Sequence, residues 1–413
     1  MILAFGDNPS DKPLREAWQS FCRQLEAAGD RAFKDYNPAT PLHRADAFRF
    51  LTQNLGQAFD LALETRDPQY PTLHPFCTPT RKLGGDAADF VYLQAWIDGQ
   101  SVYRVSGHRG TARFINFTVQ GSRPQYQPGT DIPSLHDPFG DIPEANLFGH
   151  QLDANPDGSF ELYIGGPKRG SNWLPTTPET RKLFLRQGFD RWEERPAQLH
   201  IERIGMTEPK PLPTPDTLID AMNWAGEFVV ALMEDWPDHP YHYSPFVDPV
   251  NVNQFPPEAA SGIDRDDQRR GRAIAHMCWQ LDADEALIIE FAAHDSFWML
   301  SNAGVFFNSL DYLYHPVSYT PARTVVDSDG MIRLILSHRD PGFHNWLDTQ
   351  GLVRGNITYR NLLSDHATTF RTQRVKLADV DSALPGNTRR VSAQERISLM
   401  WTRFESVRCR YNT

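Results

Sequence analysis

Three stretches of this chain gather the residue types that move protons. SLDYLYHP carries Ser309, Asp311, Tyr312 and His315. HRDPGFHNWLDT carries His338, Arg339, Asp340, His344 and Asp348, and DWPDHPYHYSPF carries His239, Tyr241, His242 and Tyr243. An imidazole changes charge near neutral pH, and a carboxylate beside it can orient it for general acid–base work. Written as a strand, SLDYLYHP turns Ser309, Asp311, Leu313 and His315 to one face and Leu310, Tyr312 and Tyr314 to the other. Asp311 and His315 could then act on one ligand without touching each other. The plainer alternative is a polar outer face turned to water.

In the second stretch Pro341-Gly342 marks a turn, so the segment reads as a loop, where binding residues concentrate. The third is bounded by prolines and rich in aromatics with polar tips. It suits either a pocket for a partly apolar ligand or a rigid linker. These readings make His315, Asp311, His344 and Tyr312 the expected catalytic set, with Tyr241, Tyr243, His239 and Arg360 expected to bind substrate. YRVSGHRG adds Arg104, His108 and Arg109, which could hold an anion or simply cap a solvated turn.

Other chemistries find less support. Fourteen histidines are present, but neither HxH nor HExxH occurs, so no metal is expected. The GxGxxG, Walker, GxSxG and CxxC patterns are missing too, which disfavours dinucleotide enzymes, NTPases and ordinary serine hydrolases; no cofactor is expected. A net charge of −11 argues against nucleic-acid or anionic-membrane surfaces. Four scattered cysteines, no apolar run near the ~20 residues of a span, and an N-terminus lacking a basic leader point to a cytoplasmic chain with reduced thiols.

Positioning such residues requires a scaffold, and the sequence writes one twice. Asn-Trp-Leu occurs in GSNWLPT and again in GFHNWLDT. DGSFELYIGG aligns with DGMIRLILSH, and LFLRQ with ITYRN, so Trp173 matches Trp346 and Arg186 matches Arg360. The expected fold is α+β: two antiparallel β-sandwich or jelly-roll-like modules with helices around them. Helical residues 1–84 come first, with apolar stripes over 13–29 and 42–62. A first β module follows over 85–207, where FVYLQAWIDGQSVYRVSGHRGTARFINFTVQG reads as three or four antiparallel strands. A helical linker spans 208–283, with one helix over 218–233 and another around 259–279. The second β module, 284–413, ends in a helix opened by a Ser392/Glu395 capping box, with Ile397, Met400, Trp401, Phe404 and Val407 as its apolar stripe.

DEALIIEF, SLDYLYH and DSDGMIRLILSHRDPGFHNWLDT resemble the bacterial domain of unknown function 1214, and the first half resembles a more diverged copy of it. The resemblance covers roughly residues 85–410 and implies an antiparallel β-sandwich or jelly-roll-like fold. It transfers no catalytic residue.

Function therefore rests on the site. The leading expectation is a cofactor-independent lyase or isomerase of a small aromatic or apolar metabolite, for instance one eliminating formaldehyde from a lignin-derived phenolic dimer. The alternatives are a carbohydrate- or small-molecule-binding protein and a metal-dependent hydrolase. A small-molecule substrate and, as an option, a second copy of the chain are the expected partners.

Overall fold

The computed structural model describes residues 8–122, 141–238, 252–255, 272–364 and 366–411. Helices α1 (Lys12–Asp30) and α2 (Pro41–Phe59) both carry Pro in the first turn, where its missing N–H costs nothing. Thr40 caps α2 by accepting from the His43 N–H at 3.2 Å. Helix α3 (Pro215–Asp238) packs against α1 and α2.

The first group of strands is β1 (His74–Pro75), β2 (Phe90–Trp96), β3 (Tyr103–His108), β4 (Phe114–Ser122), β5 (Asp141–Phe148), β6 (Ser159–Ile164), β7 (Trp173–Leu174), β8 (Thr180–Gly188) and β9 (Gln198–Arg203). The second is β10 (Arg272–Gln280), β11 (Glu285–Ala292), β12 (Phe297–Ala303), β13 (Ser318–Tyr319), β14 (Met331–Ser337), β15 (Trp346–Asp348), β16 (Arg354–Leu362) and β17 (Arg371–Lys376). Their sheets run β1-β2-β8-β4-β5 and β7-β6-β3-β9 in the first group, β10-β16-β12-β13 and β15-β14-β11-β17 in the second. With β1 set aside, each strand of the first group has its counterpart eight numbers on. All pairings are antiparallel except β6–β7 and β14–β15, which are parallel in both copies. Among the described residues no sheet closes into a barrel.

Asn-Trp-Leu recurs because it makes the same joint twice. Asn172 accepts from the Asp153 N–H at 2.8 Å and donates to the Asp153 carbonyl at 2.6 Å. Asn345 does the same to Val325, at 3.0 and 2.7 Å. The Trp173 indole donates to the Gly165 carbonyl at 3.1 Å, and that of Trp346 to the Ser337 carbonyl at 3.4 Å. Leu174 and Leu347 are buried. The asparagine amide thus imitates a backbone pairing partner, while the ring and the leucine close the edge beneath it.

Each sandwich has its own core. Phe117, Val119, Leu162 and Leu185 meet in the first, and Trp279, Trp298, Leu334 and Tyr359 in the second. A third core joins α1–α3 to the outer faces of the β1-β2-β8-β4-β5 and β10-β16-β12-β13 sheets, through Phe90, Tyr92 and Phe114 on one and Phe297, Met299 and Leu362 on the other. These two sheets are therefore covered on both faces, and β2, β4, β12 and β16 are buried almost throughout.

The segment expected as three or four antiparallel strands forms β2, β3 and β4, of which β2 and β4 flank β8 while β3 crosses to the other sheet. Of the two matched tryptophans, Trp346 is buried and Trp173 partly buried. Two expectations change. Residues 272–279 form β10 rather than a helix, because Ala275, Met277 and Trp279 alternate into the second core. The C-terminal helix α4 (Ala393–Tyr411) turns inward Arg396, Arg403 and Arg410 and, of its apolar stripe, Val407, while Ile397 is 61% and Trp401 60% exposed.

Replacing Trp346 by Ala is expected to cost about 3–5 kcal/mol, the range for a large buried aromatic. Trp173→Ala should cost clearly less, because its ring is already partly hydrated. Urea denaturation of the two variants, compared at equal m-value, checks the ordering.

Candidate functional site

Between β12 and β13 the chain runs through Ser309–His315 as a turn-rich loop, which overturns its reading as a strand with alternating faces. Phe307 adopts a positive φ of 55°, and Asp311 accepts from the Leu313 N–H at 3.0 Å, so the local hydrogen bonding favours a turn. Gln350 fastens the loop by accepting from the Asp311 N–H at 3.1 Å and donating to the Asp311 carbonyl at 2.9 Å.

A buried polar node anchors the loop from below. Lys82 Nζ donates to Ser309 Oγ at 3.0 Å and to the Leu310 carbonyl at 3.1 Å, and it lies 3.6 Å from the centre of the Tyr312 ring. Ser309 Oγ donates to Asp86 Oδ2 at 2.7 Å, while Asp86 Oδ1 accepts from the N–H groups of Leu83 and Ser309. Burial pulls the Lys82 ammonium down to about 8 against the opposing charges of Asp86 and Asp311. Gly85, at φ +68°, makes the close approach workable: a Cβ there would stand 2.5 Å from the Phe307 ring. Sequence reasoning passed over Lys82, Asp86 and Ser309 as a group; the one trace was a charge pair straddling Gly84-Gly85.

His315 leaves this loop and meets Asp348, not Asp311. Its Nδ1 is 2.7 Å from Asp348 Oδ2, with the imidazole 40% exposed and the carboxylate largely covered. Asp348 Oδ1 accepts from the Gln350 N–H at 2.7 Å, and the Asp348 N–H donates to the Pro316 carbonyl at 2.9 Å. The carboxylate is thus held from both sides at the end of β15. The hydrogen bond to Asp348 raises the His315 pKa despite partial burial, and the charge of Asp311 adds to the effect.

The other expected residues divide. Tyr312 is fully buried under Lys82, and burial raises its hydroxyl well above its ordinary range; this places it in the second core rather than at a solvent-facing site. The His344 ring faces Asn345 Oδ1 at 3.0 Å and Tyr319, and burial lowers its pKa; no hydrogen bond or ring contact joins it to His315 among the described residues. Arg360 lies within β16, donating to the Gly85 carbonyl at 2.6 Å. Its counterpart Arg186 sits at the matching point of β8, 3.0 Å from Thr118 Oγ1. His239, Tyr241 and Tyr243 lie outside the described residues. A further histidine pair went unread: His294 stacks on His366 at 4.1 Å, with its Nε2 2.9 Å from the Tyr359 hydroxyl. Among the described residues no three His, Cys, Asp or Glu side chains converge as a metal site would require.

Among known proteins, the family described as protein of unknown function (DUF1214) matches residues 93–187, within the first strand group rather than the second. A crystal structure of an uncharacterized protein from Burkholderia cenocepacia is similar over 90% of this chain and 100% of its own, at 30% identity and a TM-score of 0.79. The chain belongs to the DUF1214 family. A Vibrio parahaemolyticus protein of known structure aligns over 85% of this chain and 100% of its own, at 12% identity and a TM-score of 0.43, too distant to carry an argument. No curated protein matches the chain. For this DUF1214 member, α+β architecture with antiparallel sheets and helices at both ends is shown. No helix among the described residues is long and apolar enough to cross a membrane.

The His315–Asp348 pair has a signed pH consequence. A folded-state pKa above the unfolded 6.5 contributes stability that is fully present below 6.5 and is lost as pH rises through the folded value. An NMR titration should place His315 above 6.5, and Asp348→Asn should bring it down. An unchanged midpoint in the variant would show the pair to be uncoupled in solution.

Proposed function

We propose that the protein is a lyase or isomerase of a small aromatic or apolar metabolite, with His315 as its proton-transferring group. The observation that supports this reading is the 2.7 Å contact between His315 Nδ1 and a held carboxylate, on an imidazole that water can still reach. With Nδ1 engaged, Nε2 is the nitrogen that exchanges a proton with substrate, and Asp348 steadies the imidazolium that forms.

A retro-aldol elimination is a concrete form of the reaction. Nε2 takes the proton of a primary alcohol, the adjacent C–C bond breaks, and formaldehyde departs. The released electron pair forms a C=C bond as a neighbouring benzylic C–O bond breaks, and the phenolate leaving group recovers the proton from His315. Loss of such a base typically lowers rate ~10²–10⁴-fold.

The test is formaldehyde release from a hydroxymethyl-bearing phenolic dimer. Turnover by the native chain is expected, with His315→Gln reduced ~10²–10⁴-fold at unchanged far-UV circular dichroism. Because the proton-accepting form exists only above the raised pKa, kcat/KM should rise with pH along a limb centred above 6.5. Asp348→Asn should move that limb down and lower the plateau. Equal turnover by native and His315→Gln protein would overturn the assignment.

A further inference from the structure

The outward face of α4 is a feature that neither the fold nor the proposed reaction uses. Ile397, Trp401, Phe404 and Arg408 follow one another at helical spacings of four, three and four residues along it. Trp401 stacks on Phe404 at 5.3 Å, Tyr314 lies on the other side of Phe404 at 5.3 Å, and Arg408 covers that ring at 5.2 Å. Tyr314 is itself 62% exposed, so this aromatic ladder stands in water. Apolar surface collected this way on a monomer marks a contact site.

Charge decides what would cover it. The groove beside the ladder, bounded by Trp192, carries Glu193 and Glu405 together with Arg195 and Arg408. None of the four makes an ion pair among the described residues. Two acids and two bases around an apolar centre repel neither sign outright, yet match a copy of themselves. Two copies of α4 laid antiparallel also set their dipoles in the favourable opposed orientation. Twofold pairing also requires that one patch serve on both subunits, which a self-complementary patch does.

We infer that the protein forms a twofold dimer through the outward face of α4, with Trp401 of each copy buried against the partner helix. The inference is independent of the proposed reaction.

Sedimentation velocity of the full chain at tens of micromolar should give about twice the 47.1 kDa chain mass. Trp401→Glu should sediment as a monomer with unchanged far-UV circular dichroism, and Ile397→Lys on the same ridge serves if the first variant misfolds. Alkylation supplies a second readout. Cys409 lines the groove and is exposed in the single chain, as is Cys22 on α1. In the native dimer Cys409 should react several-fold more slowly than in Trp401→Glu, with Cys22 unchanged between them. A native chain that is monomeric at these concentrations overturns the proposal, whether or not phosphatidylglycerol vesicles or an oligosaccharide shift its tryptophan fluorescence. So does a dimer that survives both substitutions with Cys409 fully reactive.

Discussion

Three arginines spaced seven residues apart on α4 tie the two sandwiches into one body. Arg396 donates to Asp340 and to the carbonyls of Phe343 and His344, and lies over the Trp346 ring. Arg403 donates to the Ser318 carbonyl at 2.8 Å and Arg410 to the Ala88 carbonyl at 2.8 Å; both guanidinium groups also lie near the Trp192 ring. The helix therefore begins on the second sandwich and ends on the first. Burial brings Arg403 and Arg410 down to about 10, so both remain cations at neutral pH. Buried Asp89, paired with Arg323 at 2.5 Å, supplies the nearby negative charge for both. Guanidinium suits this duty: it is planar, carries five donors and stacks on aromatic faces, so one group can bond backbone carbonyls and cover a ring at the same time.

The proposed site depends on this frame indirectly. His315 reaches Asp348 only because a loop without regular structure is fixed at Ser309 by Lys82 and Asp86, and at Asp311 by Gln350. Asp348 in turn sits at the end of β15, whose position the Asn345 amide sets. Rigid elements hold each side of the pair, while the imidazole itself stays within reach of solvent.

Much of this was legible in the sequence. The Asn-Trp-Leu repeat disclosed the duplication, because a joint needing an amide, an indole N–H and a buried leucine in that order tolerates few substitutes. It also aligned Arg186 with Arg360, which occupy the same point of β8 and β16. What stayed hidden depended on long-range closure. Asp311 lies four positions from His315 and Asp348 thirty-three, but a turn at 311–313 removes the first and the β14–β15 pairing delivers the second. Periodicity located α4 and its apolar stripe without saying which face turns inward; the arginine heptad at 396, 403 and 410 was the unread clue.

The latch made by Arg410 also constrains the order in which this chain can mature. Its anchors, Ala88 and Arg191, precede Arg410 by more than two hundred residues and are synthesised well before it. The first sandwich can pair all its strands from residues 74–203 long before that. It must wait with the Ala88 and Arg191 carbonyls without their final donor, and with Trp192 uncovered by its three cations, Arg323, Arg403 and Arg410. Contacts of such sequence separation close last and slowly. During synthesis the Trp192 surface is thus an aggregation-prone part of the nascent chain, and docking of the α4 segment is the event that completes its cover.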